Sequence, residues 1–199
     1  YPDGSWTWDF KERPELKEKD FLWVCRQLTK HGKDLRSSRW AFASGWPQLL
    51  ADTFFYSTGC YPADDPENPT KVLTDTPEAI RAVQFASDFM NKLRYMPNST
   101  ETSGALMQTT QQLFVSQKIA MYQNGIWEVP NMRKMMKPGD KNFFDWDITL
   151  FPAYANPGGK PIRAAPTGGS GYSIFTSTPH KEQSWRLVKF MSGPVAMEA

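Results

Sequence analysis

Cysteine and histidine are nearly missing from this 199-residue chain, with two of each. A metal centre needs clustered nitrogen, sulfur or oxygen ligands, and His31 and His180 stand far apart in sequence, so no metal site is expected. The same scarcity argues against Ser-His-Asp or Cys-His catalysis, and no Gly-x-Ser-x-Gly elbow occurs. Long apolar runs are lacking too; none approaches the roughly eighteen residues of a membrane span. Charge of one sign is not in excess: 23 basic against 21 acidic residues give +2. Interspersed signs leave no basic face for nucleic acid. The run Lys11–Asp20 mixes both signs and reads as a solvated helical face.

A phosphate-binding loop is absent as well. Gly168-Gly169-Ser170-Gly171 precedes a strand-like segment, whereas a dinucleotide or P-loop fingerprint opens a helix. No bound cofactor is therefore expected. Paired carboxylates for glycoside hydrolysis are not nominated by any spacing, although Asp64, Asp65, Asp145 and Asp147 are available. Cys25 shares a helix side with Phe21, Leu22 and Leu28, which makes it a buried thiol. Cys60 lies in a Gly-Cys-Tyr-Pro loop, and spacing alone leaves a bridge between the two open.

Aromatic residues are what the chain has in plenty: eight Trp, seven Tyr and thirteen Phe. Most must be core, because these rings carry the largest burial payload. Periodicity predicts a helix over 15–31, a strand over 39–43 and a helix from Pro47 to about Ser57 that Gly59 stops. A Pro-rich loop over 61–74 follows. The clearest helix runs from Pro77 to Tyr95, with Ala79, Ile80, Val83, Ala86, Met90 and Leu93 on one face. Another, over 103–117, leads into a strand over 118–123. The next helix starts at Asn124 or near Val129 and ends before Lys137-Pro138-Gly139. Residues 145–151 and 172–177 read as further strands. Thr178-Pro179 opens a last helix with Trp185, Val188 and Met191 on one side. Strands alternating with helices indicate an α/β architecture.

Two junctions share one construction. The strand over 39–43 ends in Ser44-Gly45 and delivers Trp46; the strand over 118–123 ends in Asn124-Gly125 and delivers Trp127. In open α/β sheets, ligands bind outside the carboxyl ends of the strands. Rings there can cover the apolar face of a sugar while neighbouring polar groups fix its orientation. The alternative is that each indole packs under its own loop. The loop Gly169-Ser170-Gly171 can bring backbone N–H groups and a hydroxyl to a hydroxylated ligand, or be an ordinary turn.

The order of these pieces resembles the extracellular solute-binding proteins of family 1, the sugar-binding receptors of ABC importers. Trp6-Thr7-Trp8-Asp9 resembles the family's Thr-Trp-Asp entry to its carboxyl lobe. Phe114-Val115-Ser116-Gln117-Lys118-Ile119-Ala120-Met121 resembles its Phe-x-x-Gly-Lys-x-Ala-Met signature, with Gln117 where glycine is commoner. Asn124-Gly125-Ile126-Trp127 resembles its Gly-x-Trp stacking element, and Gly168–Phe175 with the following helix resembles its glycine-rich loop, strand and late helix.

The resemblance implies a type II periplasmic binding protein fold. Residues 1–149 would form the carboxyl-lobe portion, and 150–199 a segment associated with the amino-terminal lobe. It also implies a sugar or polyol ligand, contacted by Trp127, Trp46, Asn124, Gly169, Ser170 and Gly171. Membrane permease subunits as partners, an extracytoplasmic location (periplasmic or lipid-anchored at the outer face of the cell membrane), and a monomeric full-length protein follow from the same likeness. With no initiator methionine at Tyr1 and a helix just starting at the far end, the chain reads as a piece of something longer. A carbohydrate-active hydrolase with an aromatic-lined cleft is the rival class.

Overall fold

The computed structural model describes residues 5–106, 108–141, 143–166 and 171–197. The chain divides into two compact units, Tyr1–Pro166 and Thr167–Ala199.

The first unit is built on parallel strand pairs. Strand β1 (Thr7–Trp8) pairs with β4 (Ala153–Tyr154), and β2 (Trp40–Ser44) pairs with β3 (Ile119–Gln123). Every residue of β2 is buried, as parallel strands covered on both faces are. Helix α1 (Phe21–Leu28) leads towards β2. Helices α2 (Pro47–Ser57), α3 (Pro77–Asn91) and α4 (Thr110–Val115) lie between β2 and β3, and α5 (Glu128–Met135) follows β3. The main core gathers Trp8, Phe21, Phe42, Phe54, Phe85 and Phe89. Trp8 stacks on Phe85 at 5.3 Å, and Phe21 on Phe89 at 5.6 Å. These rings come from β1, α1, β2, α2 and α3, so aromatic packing ties the layers together.

Several expectations are corrected. The helix predicted over 15–31 begins only at Phe21. Asp20 is buried and caps α1, accepting from Trp23 N at 2.9 Å, while Arg13 pairs with it at 2.9 Å. Pro14–Lys19 forms a separate 3₁₀ turn. The charged run is thus exposed over most of its length but ends on a buried carboxylate. Leu28, expected beside Cys25, is exposed.

Helix α3 keeps its Thr76 cap and Pro77 start, but its buried face is Ala79, Ala82, Phe85, Ala86 and Phe89. Ile80 and Val83 are exposed. Two phenylalanines bury more area than the aliphatic stripe, and their payload sets the helix rotation. The helix predicted over 103–117 is interrupted: a π-helical turn spans Thr100–Leu106, and α4 starts afresh with a Thr109–Gln112 capping box.

Residues 145–151 are not in a strand, and Ile148 and Leu150 are exposed. Alternation specifies two faces but not a ladder partner. Trp6 Nε1 donates to Leu150 O at 3.0 Å, and Arg163 Nε to Phe151 O at 2.7 Å, so side chains hold what no ladder does.

In the second unit, residues 172–177 are likewise not in a strand. Helix α6 (Lys181–Met191) buries no side chain, and α7 (Pro194–Met197) follows it. Val188 and Met191 are half-buried as expected, but Trp185 is exposed. So short a unit has little apolar surface to close over a ring.

Candidate functional site

Parallel pairing puts the carboxyl ends of β2 and β3 side by side, with Ser44 opposite Gln123. The chain leaves each strand through glycine. Gly45 N donates to Gln123 O at 2.9 Å, and a side chain at Gly45 would crowd Asn124 at 3.2 Å. Trp46 follows two residues after β2 and precedes α2, whose Pro47 suits a first helical turn. Trp127 follows four residues after β3 and directly precedes α5. The two indoles therefore converge, with centroids 6.2 Å apart and planes at 56°. Each is 53% exposed, in a molecule whose other aromatic pairs are mostly core.

Polar groups hold this rim. Ser44 Oγ donates to Trp46 O at 2.7 Å. Gln123 Nε2 donates to the buried Thr53 Oγ1 at 2.6 Å, tying β3 to α2. Asn124 Oδ1 accepts from Gly125 N at 2.8 Å, leaving its amide NH₂ as a donor at the rim. Glu128, the first residue of α5, is buried. Its Oε1 accepts from Gln111 Nε2 at 3.2 Å and Asn131 Nδ2 at 3.4 Å, and its Oε2 from Tyr122 OH at 3.4 Å. Burial, then the Glu128 charge beside it, pushes the Tyr122 hydroxyl well above the usual phenol range, so it stays a donor.

Beside the rim runs a groove of about 860 Å³. Ala120 to Ile126 form one wall, residues 144–152 another, and Trp6, Phe42, Phe114 and Met132 line its apolar parts. Gly125 lines it, and the Trp127 ring lies over Gly125 without itself lining the groove. Its charged lining is Glu128, Asp145 and Asp147, with no Lys or Arg among the described residues.

The structure thus brings Trp46, Asn124 and Trp127 together. Gly171 belongs to the second unit and has open space where a side chain would stand. Gly169 and Ser170 lie outside the described residues. Sequence reasoning missed Glu128 and its partners Gln111, Tyr122 and Asn131. The only available signal was a carboxylate next to Trp127 with Asn131 three residues on, one helical turn away. Among the described residues, no group of three or more His, Cys, Asp or Glu could hold a metal ion.

The profile of the bacterial extracellular solute-binding protein family matches residues 10–198. The chain belongs to that family. No curated protein sequence matches it. Among solved structures, an ABC substrate-binding protein from Listeria monocytogenes in complex with cycloalternan shares 19% identity at a TM-score of 0.62, covering 98% of this chain and 42% of its own. M. tuberculosis UspC shares 18% at 0.57, with coverages of 97% and 46%. MalE from Bdellovibrio bacteriovorus bound to maltotriose shares 16% at 0.56, with 92% and 44%. These likenesses establish the type II periplasmic binding protein fold, and the chain spans less than half the length of each relative.

Proposed function

We propose that this chain is part of the substrate-binding component of an ABC importer, and that it recognises a neutral carbohydrate or polyol without transforming it. The observation that carries the reading is the convergence of two half-exposed indoles at the carboxyl ends of a parallel strand pair, next to a groove that Asn124 and Gly125 line. Trp127 stacks on a sugar ring, Trp46 forms the adjoining wall, and the Asn124 amide donates to a hydroxyl. Relatives whose structures hold cycloalternan and maltotriose support a saccharide as the ligand class. The carboxylates of the groove, unaccompanied by lysine or arginine, disfavour an anionic sugar.

In this reading residues 1–149 supply most of a carboxyl-terminal lobe that β4 joins through β1, and the chain beyond residue 166 passes to the amino-terminal lobe. The full-length protein is a monomer outside the cytoplasm. Its lobes close on the ligand, and membrane permease subunits read the closed state as a population shift. Titration calorimetry with maltotriose and other neutral oligosaccharides tests this on the full-length protein and on the present chain. Binding by the full-length protein, much weaker binding by the chain alone and recovery of intact saccharide from the complex are expected. Equal affinities would defeat the two-lobe account, and turnover of labelled oligosaccharide would favour a hydrolase.

A further inference from the structure

We propose that Gly125 and Glu128 together fix the indole of Trp127, which makes Glu128 a positioning residue of the aromatic rim. Its consequence for binding rests on Trp127 being the stacking platform; the positioning itself does not.

A ring with half its surface in water has little packing to choose its rotamer. Among the described residues Trp127 meets one aromatic neighbour, Trp46. Ordering such a side chain on ligand arrival weakens binding by up to about tenfold unless it is ordered beforehand. Two features supply that order. The backbone is closed in a tight turn, with Glu128 N donating to Gly125 O at 3.0 Å and Trp127 at φ −60°, ψ −16°. The six-membered half of the indole lies directly over Gly125. A Cβ there would stand 2.2 Å from Cη2 and 2.3 Å from Cζ3, so bare backbone is required beneath the ring.

The turn itself is anchored by Glu128. The residue is 7% exposed, and a buried charge is tolerable only when hydrogen-bonded. The donors come from three elements: Gln111 on α4, Tyr122 on β3 and Asn131 on α5. No cation pairs with Glu128 among the described ion pairs. Among the described residues neutral donors hold it: Gln111 and Tyr122 tie the residue after Trp127 to α4 and β3, and Asn131 steadies it within α5. Supporting groups of this kind, rather than the contact residue alone, determine how well a site is ordered.

The test reads the ring directly. In the full-length protein with ¹⁵N-labelled tryptophan, the Trp127 indole N–H resonance is assigned by its loss in Trp127→Phe. In Glu128→Ala that resonance is expected to shift or split, with a lowered heteronuclear NOE. Glu128→Gln, which keeps the shape and polar ends, is expected to restore it. Gly125→Ala is expected to displace it with the Glu128 anchor intact.

A folded Glu128→Ala with an unchanged Trp127 resonance would overturn the proposal. Should that variant fail to fold, an unchanged resonance in Gly125→Ala would overturn it instead. Maltotriose titration separates the two readings. Weakening by about tenfold in Glu128→Ala and Gly125→Ala, but not in Glu128→Gln, is expected from the lost ordering. A moved resonance in a protein that binds no maltotriose even as wild type would sink the stacking role and leave the positioning intact.

Discussion

Trp8 and Trp40 are sealed in the interior, while Trp46 and Trp127 stand half in water. The same side chain serves opposite ends, and its place along a strand decides which. Trp8 lies in β1 and Trp40 opens β2, where layers close over them. Their indole N–H groups find no acceptor among the described residues, so both rings act as flat hydrocarbon despite a desolvation cost of roughly 1–3 kcal/mol each. Trp46 and Trp127 come after the carboxyl ends of β2 and β3, beyond the last ladder pair. Position relative to a strand end is therefore a better guide to exposure than residue type.

The largest expected effect tests the buried side of that contrast. Trp8→Ala should lower unfolding free energy in urea by about 3–5 kcal/mol. Trp127→Ala should change it by about 0.5 kcal/mol or less yet weaken maltotriose binding by roughly tenfold or more, as truncating a central aromatic contact does. Equal losses of stability in the two variants would erase the distinction. Close behind comes Asp20→Ala, which removes the α1 cap and leaves Arg13 without its partner; a loss of about 3 kcal/mol is expected.

A contrast of similar size separates the two faces of α3. Phe89→Ala should be severely destabilising, whereas Ile80→Lys should stay within about 0.5 kcal/mol, because Ile80 is exposed. The reverse order in thermal melts would restore the aliphatic stripe as the buried face.

Alkaline pH should sharpen the comparison further, since burial acts on ionisable groups as it does on rings. Burial, then the Asp20 charge, pushes the Cys25 thiol up. Burial first, then Glu12, pushes Tyr95 up to about 12. Both groups hold their protons more tightly folded than unfolded, so their contribution is full below the unfolded thiol value of about 8.5 and falls as pH rises above it. Denaturation midpoints should decline from pH 8 to pH 11 and decline less in Cys25→Ala. The smallest effect belongs to the surface: the Lys92–Asp88 pair is exposed, and Lys92→Met should cost about 0.5 kcal/mol or less.

Much of this organisation is legible in the residues. The apolar runs that become β2 and β3 each stop at a polar residue followed by glycine, and both tryptophans lie just past that stop. The helix starts at Pro47 and Pro77 are equally local, because proline's fixed φ and missing N–H suit a first turn. What could not be read depends on partners distant in sequence. Asp20 looks like the end of a charged run until Arg13 and the core close around it. Periodicity put Ile80 and Val83 on the inner face of α3, and packing against Trp8, Phe21 and Phe54 turns the phenylalanines inward instead. Glu128 resembles any exposed helix-start carboxylate until Gln111 and Tyr122 arrive from other elements. Residues 145–151 show the converse: a clear alternation without a ladder.

The two sulfurs differ in access as sharply as the tryptophans. Cys25 is sealed and its thiol is held protonated by its surroundings, while Cys60 is half-buried in the loop after α2. A maleimide dye should therefore modify one site without any engineering of the chain. Eleven residues of helix separate Trp46 from the end that leads to Cys60, roughly 16 Å along the axis. At that range a coumarin would accept indole emission, turning the native molecule into an optical reporter of what settles on its tryptophans.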